Sequence, residues 1–174
     1  MRFHIGLLLV LLALQLQPVH AGIEPTDAAR IVDTLLDLER PSDNPLQDYH
    51  AWEALYLKYA ERAREADADG AAVKIYLLVG LVARQTLDAG LMEAFATDLL
   101  PIYERHERTV LEALRQTPVL LEPTCNYLGR YFGFEDRNRE YRVVFLERHT
   151  DTIREILASD GAEACLRHIG DRPG

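Results

Sequence analysis

The residues of this sequence best suited to covalent chemistry are two cysteines, Cys125 and Cys165. They are 40 positions apart and form no C-x-x-C motif, so catalytic thiol–disulfide exchange is not indicated. An even number of cysteines favours a structural disulfide when the chain enters an oxidising compartment. The alternative is a pair of buried free thiols. We expect the disulfide Cys125–Cys165.

Histidine and serine are the next candidates for chemistry. His106 and His149 each end a Glu-Arg-His tripeptide, but no H-E-x-x-H pair follows either of them. They could form a two-histidine metal edge. Alternatively, each imidazole lies beside the last carbonyl groups of a helix, where it is favourable. We expect the structural role. The serines after position 21 are Ser42 and Ser159, and neither lies in a G-x-S-x-G nucleophile motif. No catalytic, cofactor or metal site is predicted, and the protein is not expected to be an enzyme.

The first 21 residues have the composition of a cleaved signal peptide. Arg2 precedes an apolar run of about ten residues, and Val19-His20-Ala21 supplies small residues around a cleavage site before Gly22. The run is too short to span a bilayer comfortably, so an uncleaved anchor is the weaker interpretation. We therefore expect cleavage between Ala21 and Gly22 and an exported chain in the periplasm, or outside the cell, without a stable membrane anchor.

Charge restricts the classes of partner. Removal of 21 of the 174 residues leaves a single domain, 22–174, and removes only Arg2 from the charged residues, so the formal net charge goes from −9 to −10. An acidic chain gains nothing from phosphate counterion release, which argues against nucleic acid. A basic partner protein would be attracted at long range, although many proteins are acidic for solubility alone.

Residues 71–87 form the central helix of the predicted fold, around which the other helices are expected to pack. Between Ala71 and Ala83 the only charged side chain is Lys74, and a helix that is apolar on nearly every side must be covered by other helices. The flanking segments have helical periodicity, and sustained period-two alternation is absent. We predict an all-α domain built around this central helix, with a helix kinked or split at Pro101 and a helical pattern interrupted at His149–Thr150.

The helix before the central one carries four aromatic residues at helical spacing: Tyr49, Trp52, Tyr56 and Tyr59. They could form a stacking platform for sugar rings. The simpler interpretation is that these rings cover the central helix.

A 43-residue repeat runs through the chain. Residues 104–114 (ERHERTVLEAL) match 147–157 (ERHTDTIREIL), and Glu61-Arg62 lies one period earlier. Together with the helix–proline turn–helix pattern of residues 110–132, this period resembles the helical repeats of HEAT-like proteins. The resemblance implies helix pairs stacked as a small solenoid; the alternative is an irregular helical bundle.

The expected function is protein binding. An exported, acidic, disulfide-linked helical chain of this size resembles, in type, the periplasmic immunity proteins of bacterial toxin systems. The resemblance implies an envelope-directed effector or toxin as partner, and the net charge favours a basic one. The loops after residues 104–108 and 147–151, which are equivalent under the repeat, are the places expected for its contacts. The alternatives are an envelope enzyme or carbohydrate-binding protein that uses the aromatic residues, or a structural adaptor in an envelope complex.

Overall fold

A computed structural model describes residues 45–86, 89–132 and 138–170. Within these ranges the chain forms six α-helices and one short 3-10 helix, with no β-strand, so the predicted all-α class is confirmed. The helices are α1 (Pro45–Arg64), α2 (Gly70–Thr86), α3 (Ala89–Gln116), the 3-10 helix Pro118–Leu120, α4 (Leu121–Tyr131), α5 (Asn138–Ile156) and α6 (Ser159–Gly170). The predicted signal peptide and cleavage site, Ala21 and Gly22, lie outside the described residues.

The helices pack in two layers. The odd-numbered helices α1, α3 and α5 form the odd layer, in which α3 contacts both α1 and α5. The even-numbered helices α2, α4 and α6 form the even layer, in which α4 contacts both α2 and α6. Each odd helix also packs on the even helix that follows it. Three helix pairs are therefore stacked side by side, as the repeat implies.

Neighbouring odd helices run parallel, and the residues that contact each other across them are separated in sequence by a nearly constant number of positions. The His106 ring nitrogen Nε2 lies 2.7 Å from the carbonyl oxygen of Glu65, 41 residues earlier. The His149 ring bonds to Glu107, 42 residues earlier, and the rings of Tyr103 and Phe145 are 5.4 Å apart. Because this separation in sequence is nearly the same for α1 with α3 and for α3 with α5, equivalent residues of the 43-residue repeat lie at nearly the same height along neighbouring helices.

Helix α2 occupies the centre, as its composition predicts. It contacts α1, α3 and α4, and its residues Val73 and Ile75–Val79 are almost completely buried. Asp69 begins the helix by accepting a hydrogen bond of 2.6 Å from the backbone N–H of Ala72 through its side chain. Lys74 reaches the edge of this core and donates to Gln116 at 3.2 Å.

The kink or split predicted at Pro101 does not occur at that residue. Helix α3 continues through Pro101 and bends instead at His106, where φ is −126° and ψ is 34°. Pro101 is exposed, so the helix loses one backbone hydrogen bond without burying an unpaired carbonyl. The bend occurs where Arg105 and His106 bond to the carbonyl oxygens of Arg64 and Glu65 at the end of α1.

The predicted break at His149–Thr150 is also wrong, because α5 is continuous from Asn138 to Ile156. The Thr150 hydroxyl donates to the carbonyl oxygen of Leu146 at 2.6 Å, so this polar side chain bonds within the helix.

Helices α4 and α6 approach each other closely. The sulfur atoms of Cys125 and Cys165 are 2.03 Å apart, at disulfide-bond distance, as expected for this pair. One turn after Cys125, the Cα of Gly129 faces the backbone of His168 and Ile169 with no space for a side chain. Arg142 of α5 is buried and donates to the carbonyl oxygens of Gly129, at 3.2 Å, and Gly170. The guanidinium of Arg142 thus joins backbone groups of α4 and α6.

Candidate binding face on the odd helices

Each odd helix presents an exposed glutamate about one turn after an exposed apolar residue. The pairs are Leu57 and Glu61 on α1, Pro101 and Glu104 on α3, and Val144 and Glu147 on α5, all exposed. The three glutamates are equivalent under the 43-residue repeat, as are Pro101 and Val144, whereas Leu57 lies one residue from the equivalent position. Residues three or four apart lie on the same side of a helix, so each glutamate stands about one turn beyond an apolar residue. We call these six residues, with the neighbouring Tyr141 and Val143, the odd face.

Exposed apolar surface is concentrated on this face. The large hydrophobic residues that are exposed within the described ranges are Leu57 (61%), Tyr141 (68%), Val143 (49%), Val144 (48%) and Val119 (38%). All but Val119 belong to α1 or α5. Single exposed apolar residues are ordinary, but three within two turns of α5 mark a surface suited to contact with another molecule.

The charges of the described residues are unequally satisfied. Most basic side chains already contact another group of the protein: Lys58, Arg62, Arg64, Lys74, Arg105, Arg108, Arg115, Arg130, Arg142 and Arg154. Arg148 and Arg167 have no such contact among the described residues. By contrast, the side chains of Glu61, Glu104 and Glu147 have no hydrogen-bond or ion-pair partner in the same ranges. The odd face thus carries three carboxylates that remain available to a ligand.

Behind the odd face, a polar cluster joins α3 to α5. Glu107 accepts hydrogen bonds from the Tyr103 hydroxyl, at 3.3 Å, and from Nδ1 of His149, at 2.8 Å. Burial, and then the nearby Glu107 carboxylate, raise the pKa of Tyr103 above its ordinary value. The opposite ring atom, His149 Nε2, is buried and has no partner within the described ranges.

A phenol, a carboxylate and an imidazole in this order could transfer protons in a catalytic site. The arrangement in this conformation is closed, because His149 Nε2 is not exposed to solvent and a substrate could not reach it. The ring of His149 is also packed between Phe145, 4.3 Å away, and Tyr103. The cluster therefore holds two odd helices together and keeps the odd face in register.

A second polar cluster joins α1 to α3. Asp98 accepts a hydrogen bond from the Tyr56 hydroxyl and forms an ion pair with Arg64. Burial, and then the interaction with Asp98, raise the pKa of Tyr56 above its ordinary value. Burial also raises the pKa of Tyr76, which is more deeply buried. Both interfaces of the odd layer are thus closed by a tyrosine and a carboxylate.

The structure does not bring the two repeated histidines into one site. His106 bonds to the backbone of Glu65, and His149 bonds to the side chain of Glu107. The expectation that each imidazole lies beside the last carbonyl groups of its own helix is wrong, because both histidines lie inside helices that continue beyond them. The carbonyl oxygen that His106 contacts belongs to the residue after the end of α1. No group of three or more His, Cys, Asp or Glu side chains in the described part of the chain could hold a metal ion.

The aromatic residues of α1 face the core. Trp52, Tyr56 and Tyr59 are buried, with Tyr59 completely inaccessible, and Tyr56 packs against Tyr76 of α2. The side chain of Tyr49 lies outside the described residues. The three described rings cover the central helix, and they offer no stacking platform.

The sequence did not single out Tyr103, Glu107 or Asp98. A signal was nevertheless present, since Tyr103 and Glu107 are four residues apart and Glu107 precedes His149 by nearly one repeat. If residues about one repeat apart are taken to lie side by side on neighbouring helices, Glu107 is placed next to His149. The expected contact loops after 104–108 and 147–151 do not exist, because both segments lie within α3 and α5.

Comparisons with protein-family models, with curated proteins and with solved structures found no match for this chain. Among the described helices, none combines the length and the apolar character needed to cross a membrane.

Proposed function

We propose that this chain is an exported protein-binding module of the periplasm, acting as an immunity protein that neutralises an envelope-directed toxin. Its partner is a protein with a basic contact surface, and its own contribution is the odd face. The observation that carries the proposal is the exposed apolar group on α5, Tyr141, Val143 and Val144, beside the unpaired carboxylate of Glu147. Specific interfaces combine buried apolar anchors with complementary charges at their margin.

The net charge supports a basic partner. After removal of residues 1–21 the formal charge is −10, and most described arginine and lysine side chains are engaged within the protein. The uncompensated charge is therefore carboxylate, which increases the rate of encounter with a positively charged protein. Affinity would come from the apolar residues, because exposed charge pairs contribute little to it.

A carbohydrate-binding function has less support, since Trp52, Tyr56 and Tyr59 are buried. An enzyme would need a reachable reactive group, and the most suggestive cluster, Tyr103–Glu107–His149, is closed in this conformation. The structural adaptor is the alternative that shares the same contact surface. It differs from an immunity protein in its biological consequence, not in its chemistry.

Deletion of the gene, in a strain that keeps its neighbouring genes, separates these two possibilities. An immunity protein predicts that the deleted strain is inhibited by its own toxin or by wild-type sister cells. Unchanged growth and unchanged resistance would overturn the immunity assignment and leave the adaptor.

Complementation then tests the surface. The wild-type gene should restore protection, and Val144→Asp should not, because a buried charge at the centre of the contact is unfavourable. Val119→Asp is the matched control, since Val119 is also exposed but lies on the 3-10 helix. Equal protection by both variants would show that the odd face is not the contact surface.

A further inference from the structure

We propose that the partner segment bound by the odd face is a basic amphipathic α-helix that lies across α1, α3 and α5. This inference rests on the proposed protein-binding function and specifies the chemistry of the partner. The segment carries three lysine or arginine residues at intervals of about seven positions. These meet Glu61, Glu104 and Glu147 in turn, while its apolar residues cover Leu57, Pro101 and Val144.

The repeat determines the spacing of the contact groups. Glu61, Glu104 and Glu147 are 43 residues apart, occupy the same position on three parallel helices and are all exposed. Packed helices have axes about 8–10 Å apart, so the three carboxylates are separated by roughly that distance and together span about 16–20 Å. Few surfaces of a small protein place like groups at such regular intervals.

A helical ligand fits this spacing better than an extended one. In an α-helix, seven residues rise about 10.5 Å and return to nearly the same side, so residues seven apart all face the carboxylates. In an extended strand the same distance takes about three residues, and odd intervals point to opposite faces. An extended segment could therefore not present three equally spaced cations on one side.

The adjacent basic residues leave the carboxylates accessible. Each glutamate is followed by an arginine (Arg62, Arg105 or Arg148), which is displaced by about 100° around the helix axis. Arg105 is turned towards α1, where it donates to the carbonyl oxygen of Arg64. Arg62 is also engaged within the protein. The positive charges thus flank the row of carboxylates, and charge complementarity selects a cationic ligand.

The test uses the chain purified from the envelope fraction and two synthetic peptides of about 21 residues. Both peptides are helical, contain the same amino acids and differ only in whether three lysines recur at every seventh or at every fifth position. Lysines at every fifth position are distributed around the helix, so they cannot meet the three carboxylates together. We expect the seventh-position peptide to bind about ten times more tightly in fluorescence anisotropy at physiological salt.

Substitutions in the protein make the test specific to the row. Removal of one exposed ion pair should weaken binding about two- to fivefold, so the combined change Glu61→Gln, Glu104→Gln and Glu147→Gln should abolish the preference for the seventh-position peptide. The control combines Asp67→Asn, Glu93→Gln and Asp160→Asn, which removes the same charge from exposed carboxylates without partners in the described ranges. It should change the preference less than twofold.

Three results would overturn the inference. The first is equal binding, or no binding, of the two peptides. The second is an equal loss in both sets of variants, which would show long-range attraction only. The third is self-association of the wild-type chain in sedimentation equilibrium that Val144→Asp abolishes, since the face would then be covered by a second copy. If the peptide preference fails but the deletion strain loses its protection, this inference falls and the proposed function stands. Loss of that function with the peptide preference intact would leave this inference standing.

Discussion

The close approach of α4 and α6 at Gly129 gives a quantitative prediction for Gly129→Ala. A Cβ atom at this position would lie inside contact distance of the backbone oxygen of His168 and 3.1 Å from the Cα of Ile169. These are backbone atoms of a neighbouring helix, so they cannot rotate away as a side chain could. Forcing helices apart in a well-packed core costs about 1–3 kcal/mol, against a gain of up to about 1 kcal/mol from the higher helix propensity of alanine. We expect a net loss of up to about 2 kcal/mol in the free energy of unfolding.

The control for this prediction is Gly161→Ala in α6. Its added Cβ would meet the side-chain carbon Cδ1 of Leu121 at 3.3 Å, and a leucine terminus can move by a few tenths of an ångström. Gly161→Ala should therefore be neutral or slightly stabilising, by up to about 1 kcal/mol. The measurement is urea unfolding followed by far-ultraviolet circular dichroism, with the disulfide intact. Equal stability of the two variants would refute the close-approach argument.

The disulfide makes the cost of Gly129→Ala larger, because it restrains the separation of α4 and α6 one turn away. In a chain with Cys125→Ser and Cys165→Ser, the helices can move apart to accommodate the added methyl group. The loss caused by Gly129→Ala should therefore be smaller in that background by at least about 0.5 kcal/mol, which a double-mutant cycle measures. An identical loss in both backgrounds would mean that the strain is relieved elsewhere.

Three further predictions concern the covalent structure and the response to pH. The chain isolated without reducing agent should contain no free thiol by mass measurement after alkylation, and two alkylated cysteines would contradict the bond. Cys125→Ser should lower the free energy of unfolding by about 2–4 kcal/mol, because the loop of about 40 residues is no longer closed in the unfolded state. The pKa values of Tyr56, Tyr76 and Tyr103 are raised in the folded state, which therefore keeps protons that the unfolded state loses above about pH 10. The ionisation of these residues should leave the free energy of unfolding unchanged below that pH and lower it above that pH. Urea unfolding between about pH 8 and pH 11 should show a smaller fall for Tyr103→Phe than for the wild type; an unchanged slope would exclude Tyr103 as a contributor. N-terminal sequencing of the envelope protein should begin at Gly22, whereas an intact Met1 on a membrane-bound chain would contradict signal cleavage.

Much of the architecture could be predicted from the sequence because the strongest signals are local. Residues 71–87 are apolar on nearly every side, and the structure places α2, Gly70–Thr86, at the centre. The repeated Glu-Arg-His tripeptide predicted stacked pairs, and His106 and His149 do lie on successive odd helices. Hydrophobic period and repeat length act over one helix or one pair, so they can be recognised without tertiary information.

The errors share a physical cause, which is that contacts between helices decide local details. Pro101 does not break α3, because it is exposed, and the bend appears where His106 bonds to α1. Arg142 lies in a stretch of sequence rich in charged residues, yet it is buried and donates to carbonyl oxygens of α4 and α6. Neither outcome depends on the residue's own sequence neighbours, so a reading of the sequence alone could not supply it.

The prediction of the site was limited for the same reason, because the site also depends on contacts between helices. Net charge can be counted from the sequence, but the location of the unpaired carboxylates depends on which arginines already contact other groups of the protein. The sequence shows Glu61, Glu104 and Glu147 at equal intervals without showing that all three are exposed. Their exposure required the packing of the odd layer to be known.

The nearly constant separation in sequence between contacting residues of the odd helices also bears on how the chain reaches its folded state. The inter-helix hydrogen bonds and ion pairs described above join groups no more than 47 residues apart, the longest being that between Arg108 and Glu155. Contacts of short range close with little loss of chain entropy, and helical proteins dominated by them fold within microseconds to milliseconds. Each helix pair can dock on its predecessor as soon as it is available, so the order of the pairs along the chain can also be the order of their assembly.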